Sequence, residues 1–137
     1  MVSREVLQSR LNPLEDYFTK LRAFRKFKKQ EFLKNAALHD LAERYLHLMA
    51  ECLIDLGNHL IADQNLGSPG SFREIFQILQ EHDYLSEDLS ATLQKWTGYR
   101  NILVHDYLKI DHELAYNIIK EDFKEIEAFK SIAQSLI

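Results

Sequence analysis

One cysteine, two prolines and four glycines are spread over 137 residues, and each scarcity closes a route. A lone Cys52 can make no internal disulfide and fits a reducing cytoplasm. With one thiol and scattered histidines, a structural zinc site is not expected. So few turn formers leave little room for a β protein, which needs frequent reversals. No apolar run approaches the ~20 residues of a membrane span. The start, Met1-Val2-Ser3-Arg4-Glu5-Val6, has no apolar signal core, so neither export nor a membrane location is expected. Strong positive charge is missing too: the net charge is −4, unlike that of an indiscriminate nucleic-acid binder. What is present, 46% apolar and 28% charged residues, is ordinary for a globular chain. Its length fits one domain, residues 1–137, with a sizeable core.

The charge is unevenly placed. Residues 1–34 carry nine Lys/Arg against four Asp/Glu, whereas residues 35–137 carry eight against seventeen. Much of the positive excess falls between Arg22 and Lys34. There Arg22, Arg25, Lys26, Lys28 and Lys29 alternate with Phe24, Phe27 and Phe32, a pattern able to track a phosphate backbone and stack bases. The same pattern also describes a solvated helix end whose aromatics face the core, the commoner use of a charge run.

Apolar spacing is helical almost throughout. Ser3 is read as the cap of a first helix carrying Val6, Leu7 and Leu11, its apolar face continued by Leu14, Tyr17, Phe18, Leu21 and Phe24. Asn12-Pro13 either restarts or kinks it, since proline suits a first turn and breaks an interior. A long second helix is expected over residues 31–64, with a stripe at Leu38, Leu41, Tyr45, Leu48 and Cys52. A parallel stripe runs through Ala42, Leu46, Met49, Leu53, Leu56 and Leu60. Two adjacent stripes give the wide buried face of a central bundle helix. Gly67-Ser68-Pro69-Gly70 ends it. Ser71 and Glu74 form a capping box for a third helix, Ser86 caps a fourth running to about His105, and Asp111 caps a fifth reaching Phe129. The expected fold is all-α, an up-and-down bundle of four to five helices.

Two helices of this bundle break their own apolar rhythm. In the fourth, Leu89, Leu93 and Trp96 lead to position 100, where an apolar residue is due and Arg100 stands. A guanidinium on a seam is costly to desolvate without a partner. Arg100 therefore either meets an acid across the bundle or points into a groove kept for a phosphate. In the second helix, Asp55 and His59 lie four apart on one face where leucine or isoleucine is expected. They could converge on Arg100, with Asp55 as its partner and His59 assisting, or simply form a satisfied polar patch. A metal on this pair lacks a third ligand.

Arg100 opens the octet Arg100-Asn101-Ile102-Leu103-Val104-His105-Asp106-Tyr107, which joins a permanent cation to a group that titrates near neutrality. On a regular helix His105 lies about 140° from Arg100, whereas Tyr107 returns beneath it. Either the helix ends near Val104–Asp106 and His105 swings round, or two copies meet and each His105 works beside the other chain's Arg100. Taken alone, His105 also suits an ordinary capping or surface group, and Tyr107 a packing residue.

The pattern R-x4-H-x-Y at Arg100, His105 and Tyr107 resembles the signature of the HEPN superfamily, and more narrowly of HepT-like toxins. The segments Glu51–Ile61 and Pro69–Phe76 are similar to that family's second helix and to its entry into the third. The resemblance implies a homodimeric HEPN-like bundle whose two motifs face a shared cleft. It also implies a metal-independent endoribonuclease toxin of a type VII toxin–antitoxin system, acting on RNA and using no cofactor. His105 is then the general base for 2′-hydroxyl attack, giving a 2′,3′-cyclic phosphate, Arg100 holds the phosphate, and Asn101 supports it. Tyr107 is implied to accept AMP from a cognate MNT-type nucleotidyltransferase antitoxin, which neutralises the toxin. The alternative is a non-catalytic helical dimer that binds such a transferase and is modified by it.

Overall fold

The computed structural model describes residues 4–121 and 123–136, and its regular elements are all helical. In chain order they are α1 (Arg4–Ala23), α2 (Lys29–Lys34), α3 (Ala36–Asp63), α4 (Phe72–Glu81), α5 (Glu87–His105), α6 (His112–Lys120) and α7 (Lys124–Ser135). Single 3-10 turns stand at Phe24–Lys26 and Tyr107–Lys109. The expected helical bundle is found. The cap expected at Ser3 lies outside the described residues.

α3 is the axis, packing against α1, α4, α5, α6 and α7. Its stripe from Ala42 to Leu60 is buried throughout, while Leu38, Tyr45, Leu48 and Cys52 flank it half-buried and Leu41 is exposed. Burial pushes the Cys52 thiol up to about 11, which leaves it unreactive at neutral pH. α3 and α4 touch most closely at Gly57, where a Cβ would stand 2.6 Å from Ile75 Cγ2 and 3.3 Å from Phe76 Cε1. None of the described helices is long and apolar enough to cross a membrane.

Two boundaries differ from expectation, at Asn35 and between α6 and α7. α1 continues through Pro13, because Asn12 and Pro13 face solvent, where water can take up the freed carbonyl. The second expected helix is split at Asn35. Its backbone is extended there (φ −112°, ψ 101°) and its side chain accepts a hydrogen bond from Leu38 N, the usual task of an N-cap. The same helix ends at Asp63, as expected, where Asn65 adopts φ 55° and Leu66 N donates to Ile61 O at 3.0 Å, closing the end ahead of the Gly67–Gly70 breaker. The fifth expected helix is broken between α6 and α7. There the Arg25 guanidinium, arriving from the far end of the sequence, donates to Ile119 O at 2.6 Å and to Glu121 O at 2.7 Å.

The caps at Ser86 and Asp111 form as expected. Ser71 caps α4 by accepting from Glu74 N, but Glu74 reaches back to Gly70 N rather than Ser71 N, one residue beyond a capping box.

Candidate active site

Arg100 lies on the seam between α5 and α3, with its side chain only 16% exposed. Its Nε donates to Glu51 Oε1 at 2.6 Å, its Nη1 donates to Asn101 Oδ1 at 3.1 Å, and its guanidinium lies over the Phe72 ring at 5.0 Å. The apolar rhythm of α5 is thus broken for a cation that has an acid across the bundle. Glu51 is itself held from behind: His47 Nε2 lies 3.2 Å from Glu51 Oε1, and His47 Nδ1 lies 3.0 Å from Arg44 Nη1. Burial pushes the Glu51 carboxyl up, but the bonds from Arg100 and His47 outweigh it and hold the group below the usual carboxylate range. The result is an ionised, oriented acid that fixes one edge of Arg100 and leaves its remaining N–H groups for an oxyanion.

His105 is the last helical residue of α5; it is exposed, and no described residue hydrogen-bonds its ring. α5 ends at His105, inside the expected Val104–Asp106 window, and keeps its helical turn up to that residue. Asp106 (φ −128°, ψ 49°) leaves the helix, so Tyr107 stands on the 3-10 turn rather than beneath Arg100 on a continued helix, and it is 73% exposed. Tyr107 borders an open cleft of about 760 Å³ between α3 and the α5–α6 connection. Its other walls include Asp40, Glu43, Arg44, His47, Leu108 and His112. Neither Arg100 nor His105 lines it, but His47 connects its wall to Glu51 and thence to Arg100.

The family model described as "Ribonuclease HepT-like" matches residues 14–132. The chain belongs to this family. It is 30% identical over 105 residues to the mRNA nuclease HepT of Shewanella oneidensis, covering 77% of this chain and 79% of that one. It is 26% identical over 106 residues to the tRNA nuclease HepT of Aphanizomenon flos-aquae, covering 77% and 72%. In fold it resembles a tri-AMPylated Shewanella oneidensis HEPN toxin solved in complex with an MNT antitoxin, with a TM-score of 0.88, 24% identity, and 97% and 99% coverage.

In this HepT-like chain the other residues singled out from sequence fall elsewhere. Asp55 is not the partner of Arg100. It binds Arg10 of α1 at 2.9 Å and lies 3.8 Å from His59, so the two close a polar patch at the α1–α3 contact. The acid that meets Arg100 is Glu51, one turn earlier on the same face of α3. In the basic stretch, Arg22 pairs with Glu127 at 3.1 Å, Lys29 with Glu113, and Arg25 with the end of α6. Phe24 and Phe32 are buried, Phe27 is half-buried, and Lys26 and Lys28 are exposed. The same side chains that looked free to track phosphates are therefore largely committed to α6 and α7.

Sequence reasoning missed Glu51, His47 and Arg44. A signal was available, since positions 44, 47 and 51 share one helix face and replace the apolar residues that a fully buried face would show.

Proposed function

We propose that this chain is the toxin of a type VII toxin–antitoxin pair, a metal-independent endoribonuclease neutralised by AMP transfer to Tyr107. The observation that carries the reading is the contrast along α5. Arg100 is clamped on Glu51 with donors to spare, and His105 is left with a bare ring at the helix end. His105 takes the proton from an RNA 2′-hydroxyl, whose oxygen attacks the adjacent phosphorus. The bond from phosphorus to the 5′-oxygen breaks, and a second His105 or a water protonates that oxygen. The products are a 2′,3′-cyclic phosphate and a 5′-hydroxyl. Arg100 neutralises charge gathering on the phosphoryl oxygens, and Glu51, already ionised, keeps the guanidinium aimed without reorganising.

The two groups face 140° apart on one helix, so each His105 works beside the Arg100 of a second copy. A surface suited to that pairing adjoins the motif: Val104, Tyr107 and Leu108 are 37%, 73% and 85% exposed, an apolar patch that a lone protein rarely leaves in water. Tyr107 presents its hydroxyl to a cognate MNT-type nucleotidyltransferase. The AMP it receives puts an anion beside Arg44 on the cleft wall and beside the motif, where it competes with substrate phosphate.

The test is purified protein on a short RNA, with analysis of the new ends. Wild type and Tyr107→Phe should leave 2′,3′-cyclic phosphates, Arg100→Ala and His105→Ala should not, and an all-deoxy strand should remain whole. Cleavage that persists in both inactive designs, or of DNA, sinks the reading. Tight transferase binding with no cleavage by wild type favours the non-catalytic dimer instead.

A further inference from the structure

Beyond the motif, the first turns of α3 and α6 bring together three side chains whose chemistry the proposed reaction does not use. Glu43 of α3 is 5% exposed, and its Oε2 lies 2.5 Å from His112 Nδ1 at the start of α6. His39, one turn before Glu43, is 9% exposed and places Nδ1 3.9 Å from Glu43 Oε1. The two imidazoles stack with ring centres 3.7 Å apart and planes 22° from parallel. One ligand atom from each residue falls within 4.8 Å of the others.

Two features show that this cluster is incomplete as protein alone. His39 Nδ1 is a buried nitrogen with no hydrogen bond; Asp40 Oδ1 stands 2.8 Å away but outside hydrogen-bonding geometry. Glu43 is a buried carboxylate with one oxygen bonded to His112 and the other 3.9 Å from His39 Nδ1, too far for a hydrogen bond. A bound cation resolves both at once: it gives the orphaned nitrogen a partner and the buried carboxylate a compensating charge.

We propose that His39, Glu43 and His112 bind a single divalent transition-metal ion of the zinc type. Two imidazole nitrogens and one carboxylate are a donor set suited to a borderline ion, and three protein ligands leave a fourth position open. A tetrahedral site with bonds of about 2.0 Å has edges of about 3.3 Å, so the 2.5 Å contact widens and the 3.9 Å gap closes on binding. Glu43 and His112 both line the cleft that Tyr107 borders, so the open position faces that cleft, available to water or a phosphoryl oxygen. An ion here ties α3 to the connection that carries Tyr107. It is separate from Arg100 and His105 and stands whether or not the chain cleaves RNA.

The experiment uses the full chain without a histidine tag, stripped with chelator, and titrated with Zn²⁺ by calorimetry and with Co²⁺ by visible absorption. The expected result is one ion per chain and the intense cobalt bands of a four-coordinate site. Zn²⁺ should also raise the melting temperature by about 5 °C. His112→Ala, at a half-exposed side chain, should weaken binding more than about 100-fold in a chain shown by circular dichroism to remain folded, as loss of a direct ligand exceeds loss of an outer-shell partner. Glu43→Gln should weaken it as well, and His82→Ala, at an exposed position on the α4–α5 connection, should not. Absence of saturable binding by wild type overturns the proposal. So does binding that survives His112→Ala or disappears in His82→Ala.

Discussion

The two ends of the segment from Arg100 to Tyr107 are built on opposite plans. Arg100 sits on a helix seam, 16% exposed, with an acid, an amide and an aromatic face around it. Seven residues on, Tyr107 and Leu108 stand 73% and 85% exposed, and His105 between the two ends has no bonded partner among the described residues. The seam end holds its cation in place before any substrate arrives, which is how a group stabilises developing charge without reorganising. The open end keeps an imidazole and a phenol available to other molecules. Fold stability and chemistry are thereby separated along one short stretch: a change at the seam should cost both, and a change at the open end should cost chemistry or association alone.

The largest effect expected is from His105→Ala. RNA cleavage should fall by about 10²- to 10⁴-fold, the usual weight of general acid–base catalysis, while the thermal unfolding curve stays where it is. Initial rates on a labelled RNA, beside calorimetric melts, check both halves. An unfolding shift of more than about 0.5 kcal/mol would mean that His105 is not the free surface group described.

Next comes Leu108→Asp, which puts a charge into the apolar patch beside the motif. The dissociation constant of the proposed dimer should rise by about 10- to 100-fold, as for loss of an anchoring apolar contact, read by sedimentation across a concentration series. A dimer unchanged by this substitution places the interface elsewhere.

Glu51→Gln tests the seam. It keeps the shape and an acceptor for Arg100 Nε but removes the charge. The cost should be about 1 kcal/mol of stability, modest because Glu51 is 37% exposed, and about tenfold in cleavage rate through a loosened guanidinium. Denaturant titration and cleavage kinetics on the same preparation should move together. Here lies the contrast with His105→Ala, where only one of them moves.

The smallest effect is on the pH profile of stability, in chelator-containing buffer. Glu51 is held below the ordinary carboxylate range, so its contribution is complete above that range and is lost as pH falls through its depressed value. Glu43 behaves oppositely. Burial raises its carboxyl against the pull of His112, so stability declines as pH rises from the ordinary carboxylate value to the raised one. Melting temperature against pH should show Glu51→Gln flattening the acid limb and Glu43→Gln flattening the decline above it. The reverse assignment would contradict the burial and bonding described for both groups.

What was legible in the sequence follows from what is local. The helical period, the caps at Ser71, Ser86 and Asp111, and the misplaced cation at position 100 all depend on neighbours within a turn or two. The family likeness rested on three such local runs, Glu51–Ile61, Pro69–Phe76 and Arg100–Tyr107, and is borne out by the match over residues 14–132. What was not legible depends on how helices are offset against each other. Glu51 and Asp55 share one face of α3, and choosing between them for Arg100 requires the axial slide of α5 on α3, which core packing sets. The break after α6 is bonded by Arg25 from 94 residues away, and no window of sequence contains both. The meeting of His39 and Glu43 with His112 is hidden for the same reason, 69 residues separating the last two. Asn35 is a different case: an asparagine before an apolar run is an N-cap signal, and the continuous stripe on either side of it masked the break.

The most direct test of the account mixes two inactive chains. Arg100→Ala and His105→Ala are purified separately, each assayed on RNA, then denatured together, refolded and assayed again, with mixed dimers verified by mass spectrometry. A site completed across two copies predicts that neither variant cleaves alone. The mixture should then regain about a quarter of wild-type activity, because half the dimers are mixed and each of those holds one intact Arg100–His105 pair. A mixture that stays inactive although mixed dimers are present would contradict pairing across copies and return both groups to a single chain.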